Sequence, residues 1–396
     1  MKKTSFAYLL LALFACVSCS TEKVPTVKNV IYLIGDGMGP GAVSTLLLSD
    51  DEVTGFEKAP VIGLSETCSA NNYVTDSPAG GTALATGVRT KNGYLGVDVN
   101  GVPLESVLKK AQKMGKKTGI VVNTTLTEAT PGAFYAGVLN RSKTYDIAKQ
   151  FTESGVDVAI GSGLGAFINR PDSLDLTAVL IDKGYDVYLK WKDVLASESD
   201  KFVGILPVVN VHRRDKSKVE AGAADGAEVC LAAKLASGAD SNDSTATGDI
   251  VEPEVYLEKA VAKALGVLDK KGKEKGFFLM IESAIIDGYG HNNDSDGMIE
   301  EMNEFNRTLK VLVEYVEKHP ETLLVVTADH ETGGTSVGYK GHEVGEKVPV
   351  SLTFSTKGHT GNIVPIFAYG KGAKYFSGVI KNTDIPKRIE LLMNRK

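Results

Sequence analysis

A serine lies in the run Val74-Thr75-Asp76-Ser77-Pro78-Ala79-Gly80-Gly81-Thr82-Ala83. A proline followed by small residues can open a helix, because the first helical position needs no N–H partner. Ser77 is therefore expected at a helix N-terminus, where free backbone N–H groups and the helix dipole favour an anion. A hydroxyl held beside an anion site is what phosphoryl transfer to a protein requires. Serine is also a favoured helix cap, and taken alone the cap is the better reading. The acids and histidines further along the chain reverse that judgement.

Of the six histidines, three have acid or glycine neighbours typical of ligands. Asp287-Gly288-Tyr289-Gly290-His291 places an acid four residues before a histidine, Ala328-Asp329-His330 places the two side by side, and Gly358-His359-Thr360-Gly361 holds a histidine in a loop. Imidazole with carboxylate suits zinc, and two such sets suit two zincs. His319, before Pro320, reads as a surface residue at a helix end, and His212 and His342 lie in polar segments. Glu128-Ala129-Thr130-Pro131 and Glu282 add oxygen ligands of the kind a hard ion such as magnesium takes. Arg141 carries a planar fork that matches two phosphate oxygens. Each of these has an ordinary structural explanation by itself; their value comes from occurring together with Asp36 and Asp76-Ser77.

Something must bring them to one place. The run Asn29-Val30-Ile31-Tyr32-Leu33-Ile34 is apolar throughout, as a strand covered on both faces should be, and it ends in Gly35-Asp36-Gly37-Met38-Gly39. Similar runs recur at 119–122, 156–160, 277–281, 323–327 and 364–369. Leu104, Val107, Leu108 and Ala111 mark one helical face, and Met298, Met302, Phe305, Leu309, Leu312 and Val316 mark another, stepping by three and four. Alternating strands and helices predict an α/β fold of three layers, α/β/α, around a mostly parallel sheet. Asp36, Glu282 and Asp329 each follow a buried strand by zero to two residues, and ligand sites in such sheets lie beyond the carboxyl ends of the strands.

The 396 residues suffice for one large α/β domain, and a net charge of −5 gives no sign of a nucleic-acid or polybasic membrane surface. Residues 1–18 read as a secretory signal: Lys2 and Lys3 precede an apolar run too short to span a membrane. Cys16-Val17-Ser18-Cys19 resembles a relaxed bacterial lipobox with lipid added at Cys19, which predicts an exported, periplasmic or outer-membrane lipoprotein tethered through 19–28 to a single catalytic domain at 29–396. Cys68 and Cys230 are the remaining cysteines; an oxidising compartment would let them pair, and two free thiols are equally compatible. Segments 197–249 and 333–358 read as surface insertions.

Taken together, Gly-Asp-Gly-Met-Gly, Thr-Asp-Ser, Ala-Thr-Pro, Thr-Ala-Asp-His and His-Thr-Gly, in this order from Asn29 to about Gly370, resemble the alkaline phosphatase family. The resemblance implies broad phosphomonoester hydrolysis at alkaline pH, with Ser77 as the nucleophile that becomes phosphoserine. It implies one zinc on Asp287, His291 and His359, a second on Asp36, Asp329, His330 and Ser77, and a magnesium on Asp36, Glu128, Thr130 and Glu282. Arg141 would clamp the phosphate and Asp76 would help to orient it. The chemistry so implied is two-metal phosphoryl transfer. Glu128 departs from the best-known bacterial pattern, which has aspartate, and Gly288 stands where relatives often carry Lys or His to hold phosphate through water. The short 333–358 segment leaves crown contacts small, so a homodimer is a family expectation only. The competing readings are a phosphodiesterase or sulfatase of the same superfamily and a non-catalytic, lipid-anchored phosphate- or metal-binding protein. Ser77-Pro78-Ala79 lacks the Cys/Ser-x-Pro-x-Arg spacing of sulfatases.

Overall fold

The computed structural model describes residues 24–49, 52–206, 257–338 and 350–394. Expectations about the leader, Cys19, Cys230, His212 and His342 lie outside the described residues. Ten strands form one sheet: β1 (Asn29–Gly35), β2 (Val61–Glu66), β3 (Lys117–Thr125), β4 (Val158–Ser162), β5 (Asp186–Tyr188), β6 (Phe202–Leu206), β7 (Phe277–Ser283), β8 (Thr322–Thr327), β13 (Val364–Gly370) and β14 (Gly378–Lys381). The short strands β9 (Glu331–Thr332), β10 (Thr335–Val337), β11 (Leu352–Phe354) and β12 (His359–Thr360) pair outside it. The sheet order is β14-β2-β13-β8-β1-β7-β3-β4-β6-β5, and only β13 runs against the others.

The apolar runs explain the layering. Along β1, Val30, Tyr32 and Ile34 enter one core, and Ile31 and Leu33 enter the other. The first core is closed by the helices Ser77–Thr86, Val107–Lys113, Thr144–Phe151 and Asp384–Met393. The second is closed by Pro40–Ser49, Leu257–Lys271 and Ser295–Lys318, the last burying the predicted Met298-to-Val316 stripe. Burying a side chain such as Leu33 contributes about 1.5–3 kcal/mol, and a strand apolar on both faces gains this on each side.

The central strands β8, β1, β7 and β3 are mutually parallel, with Ile34 opposite both Thr327 and Glu282, and Glu282 opposite Val122. Their carboxyl ends therefore finish level, and the acids that follow share one edge. Leu104 falls outside its expected helix, which starts at Val107 behind the cap Ser106. The expected insertion from residue 197 begins too early: Phe202–Leu206 is β6, fully buried between β4 and β5. A short apolar run inside a polar segment looked like surface, and only sheet pairing reveals it. Within 333–358, the described part is the small β10–β11 hairpin. No helix among the described residues is long and apolar enough to cross a membrane.

Candidate active site

Ser77 is the first residue of its helix, and Asp76 caps it: the Ala79 N–H donates to Asp76 Oδ1 at 3.0 Å. The carboxylate does the capping, which frees the Ser77 hydroxyl. The Gly93 N–H donates to Asp76 Oδ2 at 2.6 Å, and the Arg141 N–H donates to the Gly93 carbonyl at 3.1 Å. Asp76 thus fixes the backbone on which Arg141 is carried. The small residues after Ser77 permit close approach. A Cβ at Gly80 would come within 3.0 Å of the Asp329 carbonyl, and one at Gly81 within 3.0 Å of Thr130 Cα.

The Gly-Asp-Gly turn after β1 brings Asp36 into the site and the backbone against a second element. Gly37 has φ +74°, and a Cβ there would lie 2.8 Å from Asp287 Cα. Asp287 and His291 stand one turn apart on the helix Ile285–Asn292, with Asp287 Oδ2 3.3 Å from His291 Nε2. Asp287 Oδ1 lies 3.5 Å from His359 Nε2. His359, expected in a loop, lies in β12, opposite Thr332 of β9. Its ring stacks on His330 at 3.7 Å between centroids.

The three histidines are oriented alike, and hydrogen-bond logic gives their tautomers. His291 Nδ1 lies 2.5 Å from the Lys357 carbonyl, and His359 Nδ1 lies 3.0 Å from the Thr75 carbonyl. A carbonyl only accepts, so each Nδ1 carries hydrogen. Thr332 Oγ1 donates its one proton to Asp287 Oδ1 at 2.5 Å, so at 3.2 Å it accepts from His330 Nδ1. In neutral imidazoles each Nε2 is then a lone pair facing inward. His291 Nε2 and His359 Nε2 are 3.1 Å apart, and two lone pairs beside a carboxylate need a proton or a cation between them. The proton solution is favoured by Asp287, whose hydrogen bond pushes His291 up from 6.5 to about 9. Burial raises Asp287, but His291, His330 and Thr332 outweigh it and hold the acid well below the usual carboxylate range.

A second group surrounds His330. Ser77 Oγ is 3.2 Å from His330 Nε2, Asp329 Oδ2 is 3.2 Å away and Asp36 Oδ1 is 3.4 Å away. Burial, then the neighbouring His359, lowers His330 to about 3, so it stays neutral. Asp36, Asp287 and His330 have ligand atoms close enough for one ion, as do Asp287, His291 and His359. Asp287 therefore faces both positions, whereas sequence reading gave it to one.

Third comes a set of oxygens alone. Asp36 Oδ1, Asp329 Oδ2, Thr130 Oγ1 and both oxygens of Glu282 are buried without a hydrogen-bond partner. Burial and the nearby Asp329 raise Glu282 to about 8. Burial and Asp287 raise Asp329 to about 8, and burial together with the other acids raises Asp36 well above its usual range. Orphaned buried carboxylates are costly, and a divalent cation satisfies them. The donors present thus fit two mixed imidazole–carboxylate ions, and the orphaned buried oxygens are of the type a hard ion takes. Of the four expected magnesium ligands, Asp36, Thr130 and Glu282 belong to this buried set. Glu128 forms an ion pair with Arg141.

Sequence reasoning missed the supporting residues. Thr332 sets the tautomer of His330, and the carbonyls of Thr75 and Lys357 orient His359 and His291. Buried Glu331 ties the short strands together, accepting from the Thr335 N–H at 2.8 Å and from the Thr360 hydroxyl. Only Glu331-Thr332 had a signal, its nearness to Asp329-His330. His319 takes its expected place at a helix end, stacked on Tyr315.

Compared with known proteins, the chain matches the family model described as Alkaline phosphatase over residues 27–175 and 240–353. Alkaline phosphatase 4 of Bacillus subtilis is 29% identical, with 93% of this chain and 89% of the relative covered. The alkaline phosphatase of Schizosaccharomyces pombe is 33% identical, with 82% of this chain and 59% of the relative covered. The solved alkaline phosphatase from the Antarctic bacterium TAB5 has a TM-score of 0.77 at 28% identity, covering 94% of this chain and 100% of that chain. A variant of it with magnesium bound in the M3 site has the same TM-score and coverage at 29% identity.

The raised groups give the metal-free chain a defined pH response. Glu282, Asp329 and His291 hold protons in the folded state that the unfolded chain has released, so their stabilisation is lost as pH rises through about 8 to 9. The opposing effect of neutral His330 is confined below 6.5. Melting of the chelator-treated chain should therefore shift to lower temperature between pH 6.5 and 9, while the chain loaded with zinc and magnesium shows a much smaller shift. Equal slopes with and without metal would contradict this account of the acids.

Proposed function

The chain belongs to the alkaline phosphatase family, and we propose that it hydrolyses phosphate monoesters through a covalent phosphoserine at Ser77. The observation that carries this reading is the Ser77 hydroxyl at a buried helix N-terminus, 3.2 Å from His330 Nε2, where the inward-facing donors meet. Relatives named alkaline phosphatases identify the chain as a phosphatase enzyme; the mechanism and metal set are our inference.

The residues divide the work. Asp287, His291 and His359 would hold one zinc, Asp36, Asp329 and His330 a second beside Ser77, and Asp36, Thr130 and Glu282 a magnesium. Bound divalent ions would supply a lowered hydroxyl pKa and positive charge for phosphate oxygens. Ser77 Oγ attacks phosphorus, the bond to the alcohol oxygen breaks, and the alcohol leaves with a proton. Water then attacks the phosphoserine, the phosphorus–Oγ bond breaks, and inorganic phosphate departs with Ser77 restored. Arg141 donates to two non-bridging oxygens throughout, which fixes the phosphate and offsets its charge. Its backbone is held by Gly93 and Asp76. Because these groups address the phosphate rather than the alcohol, specificity for the leaving group is broad.

Three outcomes test the reading. Wild type should turn over p-nitrophenyl phosphate far faster than bis-p-nitrophenyl phosphate, and Ser77→Ala should lose about three orders of magnitude in kcat, as should chelation. Dominant diester hydrolysis would assign the chain to the diesterase branch, and metal binding without turnover would leave the binding-protein reading. Gly288→Lys should tighten inhibition by inorganic phosphate about severalfold. The variant is sterically accessible, since a Cβ at Gly288 meets nothing within 4 Å; unchanged inhibition would refute it. The location proposal, an exported lipoprotein modified at Cys19, is supported by sequence alone. Radiolabelled palmitate should enter the chain in a bacterial host and be absent from Cys19→Ser; equal labelling of both would sink it.

A further inference from the structure

We propose that Glu128 is the resting partner of the Arg141 guanidinium, which phosphate displaces on binding, rather than a ligand of the oxygen-rich metal position. The inference rests on the phosphomonoesterase reading and adds a positioning residue to it. Glu128 Oε1 is paired with Arg141 Nη2, and this is the ion pair of Glu128 among the described residues. The other three residues expected around a magnesium ion behave differently: Asp36, Thr130 and Glu282 keep buried oxygens without partners, while the Glu128 side chain is 27% exposed.

The position of Glu128 favours the pairing. Its side chain caps the Ala129–Gly132 helix, Oε1 accepting from the Ala129 N–H at 3.4 Å, and the same oxygen meets Arg141 Nη2. A carboxylate presents two oxygens to the guanidinium fork much as phosphate does. Glu128 therefore holds the Arg141 guanidinium in its resting state. The pair is partly solvated, with Arg141 39% exposed, so an incoming dianion can replace the carboxylate. The same competition favours release of product phosphate.

The experiment is a double-mutant cycle on the metal-loaded protein, with inorganic phosphate affinity read by calorimetry and magnesium content by mass spectrometry. Glu128→Gln should retain magnesium and bind phosphate about two- to fivefold tighter, the range expected for losing a partly exposed ion pair. KM for p-nitrophenyl phosphate should fall in step. In an Arg141→Ala background the same substitution should leave phosphate affinity unchanged, which separates action through the arginine from a general loss of negative charge. An equal gain in both backgrounds, an unchanged affinity in Glu128→Gln, or the loss of one magnesium would overturn the proposal. Wild type that neither binds nor hydrolyses phosphate would overturn the phosphomonoesterase reading as well, so the two failures are told apart by wild type alone.

Discussion

Four carboxylates and three imidazoles meet at one edge of the sheet with their lone pairs inward. Asp36, Glu282, Asp329 and His330 are almost fully buried, and like charges so placed cannot all ionise without a counter-charge. The chain meets this in two ways at once. Burial and mutual repulsion raise the pKa values of Asp36, Glu282 and Asp329, and every Nε2 is arranged toward a shared centre. Most of the surrounding structure exists to hold that unfavourable cluster in place.

The scaffold does so with backbone rather than with side chains of opposite charge. Parallel strands end level, so a residue just past β1, one within β7 and one just past β8 arrive together. Glycines at 37, 80 and 81 let turn and helix approach to distances that a side chain would forbid. Peptide carbonyls of Thr75 and Lys357 orient two imidazoles without adding charge. Arg141 is the cation felt by Asp36 and Glu282, and its side chain is partly exposed. Its carboxylate partner is Glu128. The inner acids thus face the positions suited to metal ions, and the outer acid faces the arginine.

The legible part of the fold was the part set by burial on both faces. β1, β3, β4, β7, β8 and β13 were foreseeable because continuous apolar runs have few other uses in a chain of this kind. β2 and β14 are partly exposed edge-side strands, and β5 has three residues; their sequences carry no periodic signal. The antiparallel direction of β13 could not be read, since direction is a property of pairing. Fold class followed from alternation alone, and the neighbours of known structure agree with it.

The same division holds at the site. Sequence by itself determined which residue types were available: Asp36, Glu282 and Asp329 with His330 at or just past strand ends, and Asp287 four residues before His291. It also placed Ser77 at a helix start, because proline and small residues restrict local backbone choices regardless of context. Tertiary structure decided everything that depends on a second segment. It made Asp76 the cap, gave Asp287 to both mixed clusters, set the tautomer of His330 through Thr332, and turned Glu128 toward Arg141. Local conformation is written in neighbouring residues, whereas contacts across tens or hundreds of positions are fixed only when the sheet has paired and the helices have packed against it.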